Sequence, residues 1–194
     1  MLTTSAYKDF AKAYDSGVKS DASRIRLSVL VLGPSAKSKE PAAVLRKHVA
    51  SRCRKDGKLA LQGEHKSLLN VYRGVMGRHS DLCTYELDLA LRVDALVIIP
   101  SSPGSFVELG MLALAPKVCP KTIVLFDRKY ARHNTSFVKL GAKKAYTNKG
   151  ATTAYVDYAD KKSAWKQVQR HLQVIRTNKF SDTLLSKQGS QWRR

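Results

Sequence analysis

Cysteine is scarce in this sequence, and its placement excludes two classes of small protein. The 194 residues contain Cys53, Cys83 and Cys119, at wide spacings and without a Cys-x-x-Cys pair. This pattern argues against a disulfide framework and against a zinc knuckle. Because the five histidines are also scattered, we expect no metal site, and we expect no cofactor. All three cysteines have apolar neighbours in sequence, which is typical of buried, reduced thiols.

Long apolar runs are missing as well. The longest, residues 95–100, has the length of a strand, whereas a membrane-spanning helix needs roughly 20 apolar residues. The N-terminal residues lack the basic segment followed by an apolar stretch that marks a secretory signal. We therefore expect a cytoplasmic protein that does not bind a membrane.

Acidic residues are few relative to basic ones. The chain has 35 Lys and Arg against 15 Asp and Glu, a net charge of +20, and such an excess attracts polyanions. The favoured partner is a nucleic acid or a ribonucleoprotein, contacted mostly through phosphates because no sequence-reading motif is visible. An acidic polypeptide is the alternative. The densest basic groups lie at residues 46–47, 52–55, 139–144 and 193–194.

Apolar runs of strand length alternate with helical patterns along the chain. Strands are predicted at residues 26–32, 59–61, 95–100, 122–126 and 154–156, and helices at 3–17, 41–55, 66–78, 82–91, 106–115 and 161–175. This order predicts an α/β fold, namely a Rossmann-like parallel sheet sandwiched by helices, with an extra N-terminal helix and a C-terminal helix. The predicted divisions are an N-terminal helical appendage (1–24), the α/β domain (25–176) and a basic tail (177–194).

Ligands of such sheets bind at the carboxyl ends of the strands, which selects the loops at 33–40, 100–106 and 127–137. The central loop, Ser101-Ser102-Pro103-Gly104-Ser105, joins the strongest strand to a helix. Its hydroxyls and the first N–H groups of the helix form a surface suited to an anion or a sugar. Glu108 follows in the first predicted helical turn and can face that surface. It also has capping-box spacing from Ser105, so the alternative is that it only caps the helix.

The segment from Asp94 to Gly110, DALVIIPSSPGSFVELG, resembles the signature of the nucleoside 2-deoxyribosyltransferase superfamily. There, a strand leads to a Gly-[Ser/Thr]-x-x-Glu-x-Gly turn and helix. The Ser-Pro-Gly-Ser-Phe-x-Glu-Leu-Gly version is more similar still to N-glycosidase effectors associated with bacterial retron defence systems. Segments 126–127 and 135–141 also resemble those effectors, and the resemblance covers roughly residues 27–145. Lysine-decarboxylase-like phosphoribohydrolases carry a related turn and cleave the same type of bond.

The resemblance implies roles for particular residues. Glu108 would be the catalytic carboxylate, which attacks or stabilises the sugar C1′ as the base departs. The implied substrate-binding residues are Gly33, Pro34, Ser35, Asp94, Ser101, Ser102, Gly104, Ser105 and Asp127. Ser102 stands where the transferases usually carry a base-holding aspartate, so it would bind the sugar or a phosphate instead.

Structural alternatives remain for several of these positions. The Gly33-Pro34-Ser35 segment is also compatible with an ordinary turn, and Asp94 with a purely structural residue at a helix end. On the helix before the central strand, Tyr85 favours core packing and Glu86 a solvated face.

These observations favour an N-glycosidase that cleaves the base–sugar bond of a nucleotide or dinucleotide such as NAD. It would act as a toxic effector in anti-phage defence, regulated by a nucleic-acid-containing partner, and we expect a homo-oligomer. The alternatives are a metabolic nucleoside hydrolase or deoxyribosyltransferase and a non-catalytic nucleotide sensor. A fourth is an enzyme that cuts the glycosidic bond of a flipped base in nucleic acid.

Overall fold

The structure, a computed structural model, describes residues 24–77, 81–132 and 135–191, with isolated positions before residue 24 and side chains up to residue 183. Leu27–Leu172 form one compact unit, and the described residues of Met1–Arg26 and Gln173–Arg194 form a second. Most of the helix predicted at 3–17, and the basic pair 193–194, lie outside the described residues. The first unit carries the sheet.

Five strands and six helices follow one another along the described chain. The strands are β1 (Ser28–Leu32), β2 (Leu59–Leu61), β3 (Ala95–Ile98), β4 (Thr122–Asp127) and β5 (Thr152–Val156). The helices are α1 (Pro41–Lys55), α2 (Lys66–Met76), α3 (Leu82–Arg92), α4 (Pro103–Ala113), α5 (Lys144–Asn148) and α6 (Lys161–Gln191). A π-helical segment, Val138–Lys143, precedes α5. The predicted α/β fold is confirmed.

The sheet is parallel throughout, in the order β2-β1-β3-β4-β5. Its central strands are apolar on both faces because helices cover both, and every residue of β3 is buried. The chain runs from β1 outward to β2 and then returns across β1 to β3. The strand order therefore reverses between β1 and β3, and their carboxyl ends diverge into the crevice where ligands of such sheets bind.

The beginning of α4 differs from the sequence prediction. The helix begins at Pro103 and not at residue 106, because Ser102 caps it: the Ser105 N–H donates to Ser102 Oγ at 3.3 Å. Pro103 suits the first helical position, where its missing N–H costs nothing. The helix thus starts almost directly after β3, which brings its first two turns to the crevice.

Two of the three cysteines are buried. Cys53 and Cys119 are buried free thiols, and burial raises the pKa of the Cys53 thiol to about 11. Cys83 is exposed, so its predicted burial was wrong; it lies in the first turn of α3, where residues 81–84 are all exposed. Within the described residues, no helix combines the length and the apolarity needed to cross a membrane.

Candidate active site

A pocket of about 310 Å³ opens at the carboxyl ends of β1, β2 and β3, where the strand order reverses. Six segments line it: the loops after β1 and β2, one residue each of α1 and α2, the first half of α3, and the first two turns of α4 with its cap. The lining residues are Gly33, Ser35, Arg46, Gly63, Glu64, Leu69, Leu82, Tyr85, Glu86, Ser102, Gly104, Ser105 and Glu108. The structure thus brings together six of the predicted site residues: Gly33, Ser35, Ser102, Gly104, Ser105 and Glu108.

Gly33 shapes one wall of the pocket because only glycine fits there. Its φ of +150° is a conformation that L-residues rarely adopt, and a Cβ at this position would lie 2.8 Å from the carbonyl oxygen of Ile99. The chain leaving β1 therefore passes directly against the chain leaving β3. Pro34 is buried beside it, and Ser35 is exposed on the pocket rim.

The serines at the start of α4 mainly build the helix end. Ser105 Oγ accepts the N–H groups of Ser101 and Ser102, each at 2.9 Å, and donates to the Ser102 carbonyl at 2.8 Å. Ser105 is 1% exposed. The hydroxyl of Ser101 is buried without a hydrogen-bond partner in the structure, but it does not line the pocket. This network fixes the turn, and through it the direction in which α4 projects Glu108.

Glu108 does not cap α4. The capping box joins Ser102 and Ser105, and Glu108 lies in the second turn, so the interpretation as a simple helix cap was wrong. One carboxyl oxygen, Oε2, is buried and has no hydrogen-bond partner in the structure. A buried carboxyl oxygen without a partner is costly for the fold, and a ligand in this pocket can supply the missing partner.

The carboxyl groups of Glu108 and Glu86 both line the pocket and lie close enough for each to shift the pKa of the other. Burial and the neighbouring Glu86 charge raise the pKa of Glu108 to about 8, and burial also raises the pKa of Glu86. Ionising both of two neighbouring carboxyl groups in a poorly hydrated site costs much free energy. The pair therefore keeps one proton near neutral pH. The predicted solvated face for Glu86 was wrong, because α3 turns this residue toward the pocket.

Arg46 lines the pocket although it is only 2% exposed. Its Nε donates to the Val31 carbonyl at 3.0 Å, and Nη1 donates to the carbonyls of Gly33 at 3.2 Å and Pro34 at 2.9 Å. Its two terminal nitrogens also pair with the two oxygens of Glu64, at 2.7 and 2.6 Å. This bidentate pair ties α1 to the loops after β1 and β2.

Tyr85 of α3 holds the loop after β2 in place. It is buried, as its interpretation as a packing residue predicted, and its hydroxyl donates to the Gly63 carbonyl at 3.0 Å. A Cβ on Gly63 would lie 3.3 Å from Glu86 Oε1, so the loop after β2 passes close to the carboxyl pair. The Tyr85 ring also packs on Tyr72 of α2, with ring centroids 5.0 Å apart.

Two predicted site residues lie elsewhere. Asp94 precedes β3 at the amino end of the sheet, where its Oδ2 accepts the N–H and the hydroxyl of Ser28 at 2.8 Å each. It joins the starts of β1 and β3. This is the purely structural role that the sequence offered as the alternative to substrate binding. Asp127 ends β4 at the correct edge, but it accepts the Lys129 N–H at 2.9 Å and lines a separate hollow with Arg128, Arg132 and Asp157.

Sequence reasoning missed Arg46, Glu64 and Glu86. The signal for Arg46 was available: it stands at helical spacing between Ala42 and Val49 and so falls on the buried face of α1. Its strongly basic neighbourhood suggested a surface residue instead. For Glu64 and Glu86 no local signal exists, because their proximity to Glu108 depends on how the loop after β2 and α3 cross above the sheet.

A family model described as STM3845 retron effector protein matches residues 44–191, which is more than half of the chain. The matched region includes most of α1, the loop after β2, and helices α3 and α4 with both members of the carboxyl pair. A search of the curated proteins found no match to the chain. From the extent of the family match, the chain belongs to the STM3845 retron effector protein family.

Proposed function

We propose that the protein is an effector of a retron defence system that acts as an N-glycosidase, cleaving the base–sugar bond of a nucleotide or dinucleotide. Membership of the retron effector family supports the effector role. The observation that carries the chemistry is the half-buried pair of Glu108 and Glu86, with a buried, unpartnered Glu108 oxygen in a pocket at the strand reversal.

The pair is suited to glycosidic bond cleavage because the two carboxyl groups can perform different tasks. Glu108 holds the shared proton at rest, because its pKa is raised to about 8. In the reactive form the proton has passed to Glu86, and the ionised Glu108 bonds to the sugar C1′ or stabilises the positive charge that develops there as the C1′–N bond breaks. Glu86, holding the shared proton, donates it to the departing base. Glu86 then accepts a proton from water, the water oxygen bonds to C1′, and Glu108 is released as carboxylate.

The size and surroundings of the pocket suit a nucleoside portion. A volume of about 310 Å³ is at the lower end of small-molecule sites and leaves the rest of a larger ligand outside. The serine hydroxyls at the start of α4 are largely used in the helix cap. The Gly104 N–H and the Ser35 hydroxyl, both on the lining, are therefore the better candidates for contacts to the sugar or a phosphate.

The proposal is tested by base release. The purified protein is incubated with NAD, AMP, ATP, dAMP and a short single-stranded DNA, alone and with added cellular nucleic acid, and free nicotinamide or nucleobase is measured by chromatography. Glu108→Gln is the test variant. Glu40→Gln is the matched control, because Glu40 is an exposed glutamate outside the pocket.

Base release by the wild-type protein and by Glu40→Gln, but not by Glu108→Gln, is the expected result and identifies the substrate. Equal release by Glu108→Gln would assign the activity to other residues. If no substrate loses its base under either condition, the glycosidase proposal is wrong, and nucleotide binding without turnover would then favour a sensor.

A further inference from the structure

One face of the Leu27–Leu172 unit concentrates positive charge. It comprises the exposed side of the second half of α1 and the first turns of α6, and we refer to it as the α1–α6 basic face. Its exposed cations are Arg52, Lys55, Lys161, Lys162, Lys166 and Arg170. Neither residues 41–55 nor residues 161–181 contain an aspartate or a glutamate.

Contacts between side chains show that the two helices meet at this face. The Arg52 guanidinium lies over the Trp165 ring, 5.6 Å from its centroid. His48, one turn before Arg52, is flanked by Lys161 as well as by Arg52 and Lys55. Burial and these three positive charges lower the pKa of His48. The cations of α1 and α6 therefore act on the same small region of surface.

These cations are not neutralised within the described part of the molecule. The ion pairs there involve Arg24, Arg46, Lys58, Arg92 and Lys129, and none of the six residues of the basic face. The nearest acids along the chain are engaged locally: Asp56 pairs with Lys58, and Asp160 accepts the Ser163 N–H. Neither carboxylate forms an ion pair with a cation of the face.

The arrangement is unfavourable for the fold by itself. Like charges on neighbouring helices repel each other, and Lys161 and Lys162 lie in the first turn of α6, where the helix dipole is positive and disfavours cations. Binding a polyanion would relieve both costs. The position of the cations is thus better explained by binding than by stability.

We propose that the α1–α6 basic face binds the phosphodiester backbone of a double-helical nucleic acid. Contacts to a backbone are favoured over contacts to unpaired bases because the face offers no exposed aromatic ring. Trp165, which lies between these cations on α6, is 6% exposed and lies beneath Arg52, whereas single-strand binders stack bases on exposed rings. None of the six cations lines the pocket, so this site is separate from the carboxyl pair.

The test measures binding of a fluorescein-labelled 20-base-pair DNA duplex, and of an RNA duplex of the same sequence, by fluorescence anisotropy between 50 and 300 mM NaCl. The test variant is Lys162→Gln, Lys166→Gln, Arg170→Gln. The matched control is Arg73→Gln, Lys117→Gln, Lys144→Gln, three exposed cations on other elements. Both variants lower the net charge by three, and circular dichroism verifies that both are folded.

We expect the test variant to bind at least ~10-fold more weakly than the wild type at 100 mM NaCl, with a salt dependence reduced by about one unit of slope for each lost phosphate contact. The control should bind within about threefold of the wild type. Equal weakening in both variants would mean that net charge alone attracts the duplex. Failure of the wild type to bind either duplex would overturn the proposal. So would face-dependent binding to phosphatidylserine-containing vesicles without binding to either duplex, which would make the face a membrane site.

Discussion

Glu108 and Glu86 make the stability of the fold depend on pH. Burial and the Glu86 charge raise the pKa of Glu108 to about 8, so the folded protein binds this proton more tightly than the unfolded chain does. The stabilisation is complete below the unfolded pKa of about 4.3 and is lost as the pH rises through about 8. Ionisation of the pair thus opposes folding at alkaline pH.

Glu108→Gln should therefore raise the melting temperature more at pH 8.5 than at pH 5, because glutamine removes the charge that is costly only at high pH. A difference of several degrees is expected, since about 1 kcal/mol corresponds to roughly 2–4 °C for a domain of this size. Thermal unfolding at the two pH values measures it, with Glu40→Gln as the control. An equal shift at both values would show that ionisation of Glu108 does not oppose folding.

Glu86 offers a means of separating the two carboxyl roles. A nicotinamide attached to a sugar is already cationic at the glycosidic nitrogen and leaves as a neutral base, whereas a purine needs a proton to leave easily. If the proposed function holds, Glu86→Gln should slow purine release by about 10²–10⁴-fold and slow nicotinamide release much less. The comparison is kcat for adenine release from AMP and for nicotinamide release from NAD. Equal losses on both would assign Glu86 to positioning Glu108 and not to proton donation.

Arg46 is the side chain on which the walls of the pocket depend. Arg46→Met removes the donor for three carbonyls, which should cost about 1–3 kcal/mol, whereas the half-exposed Glu64 can be solvated by water. Arg46→Lys should recover little, because an ammonium cannot reproduce the bidentate fork. Urea denaturation measures the loss. The control is Lys47→Met, at the adjacent exposed position, which should stay within about 0.5 kcal/mol; a loss at Lys47 equal to that at Arg46 would contradict this account.

At the scale of the elements, the close approach of β1 and β3 sets the shape of the crevice. Gly33→Ala would place a Cβ 2.8 Å from the Ile99 carbonyl oxygen in a backbone conformation with φ of +150°, at a cost of about 1–3 kcal/mol. Gly110→Ala is the matched control: Gly110 is an exposed residue inside α4 with no atom within 4 Å of the added Cβ. It should stabilise the protein by about 0.5–1 kcal/mol. Unfolding free energies of opposite sign are expected, and a stable Gly33→Ala protein would refute the steric argument.

The strands and most helices can be predicted from the local sequence, whereas only some of the residues that form the site can. Buried parallel strands are uniformly apolar, and β3 is recognisable on that basis alone. The start of α4 was placed too late because Ser105 and Ser102 are both good caps, and the choice between them depends on the hydrogen bonds that Ser105 makes back to the turn. Glu86 joins the site through the crossing of α3 over the sheet, a tertiary relation that no local pattern encodes.

At the scale of the whole molecule, the net charge of +20 sets how stability responds to salt. Like charges repel most when the Debye length is long, about 30 Å at 0.01 M ionic strength and about 10 Å at 0.1 M. The melting temperature should therefore rise when NaCl increases from 10 to 100 mM, because screening weakens repulsion more than it weakens the few exposed ion pairs. Neutralising Lys162, Lys166 and Arg170 should reduce this rise, since those residues are exposed and belong to no ion pair among the described residues. Differential scanning fluorimetry across the salt series measures both effects. A melting temperature that falls with salt would mean that attractive surface pairs outweigh the repulsion. The charge of the α1–α6 basic face would then not destabilise the free protein, and binding a polyanion would relieve no repulsion.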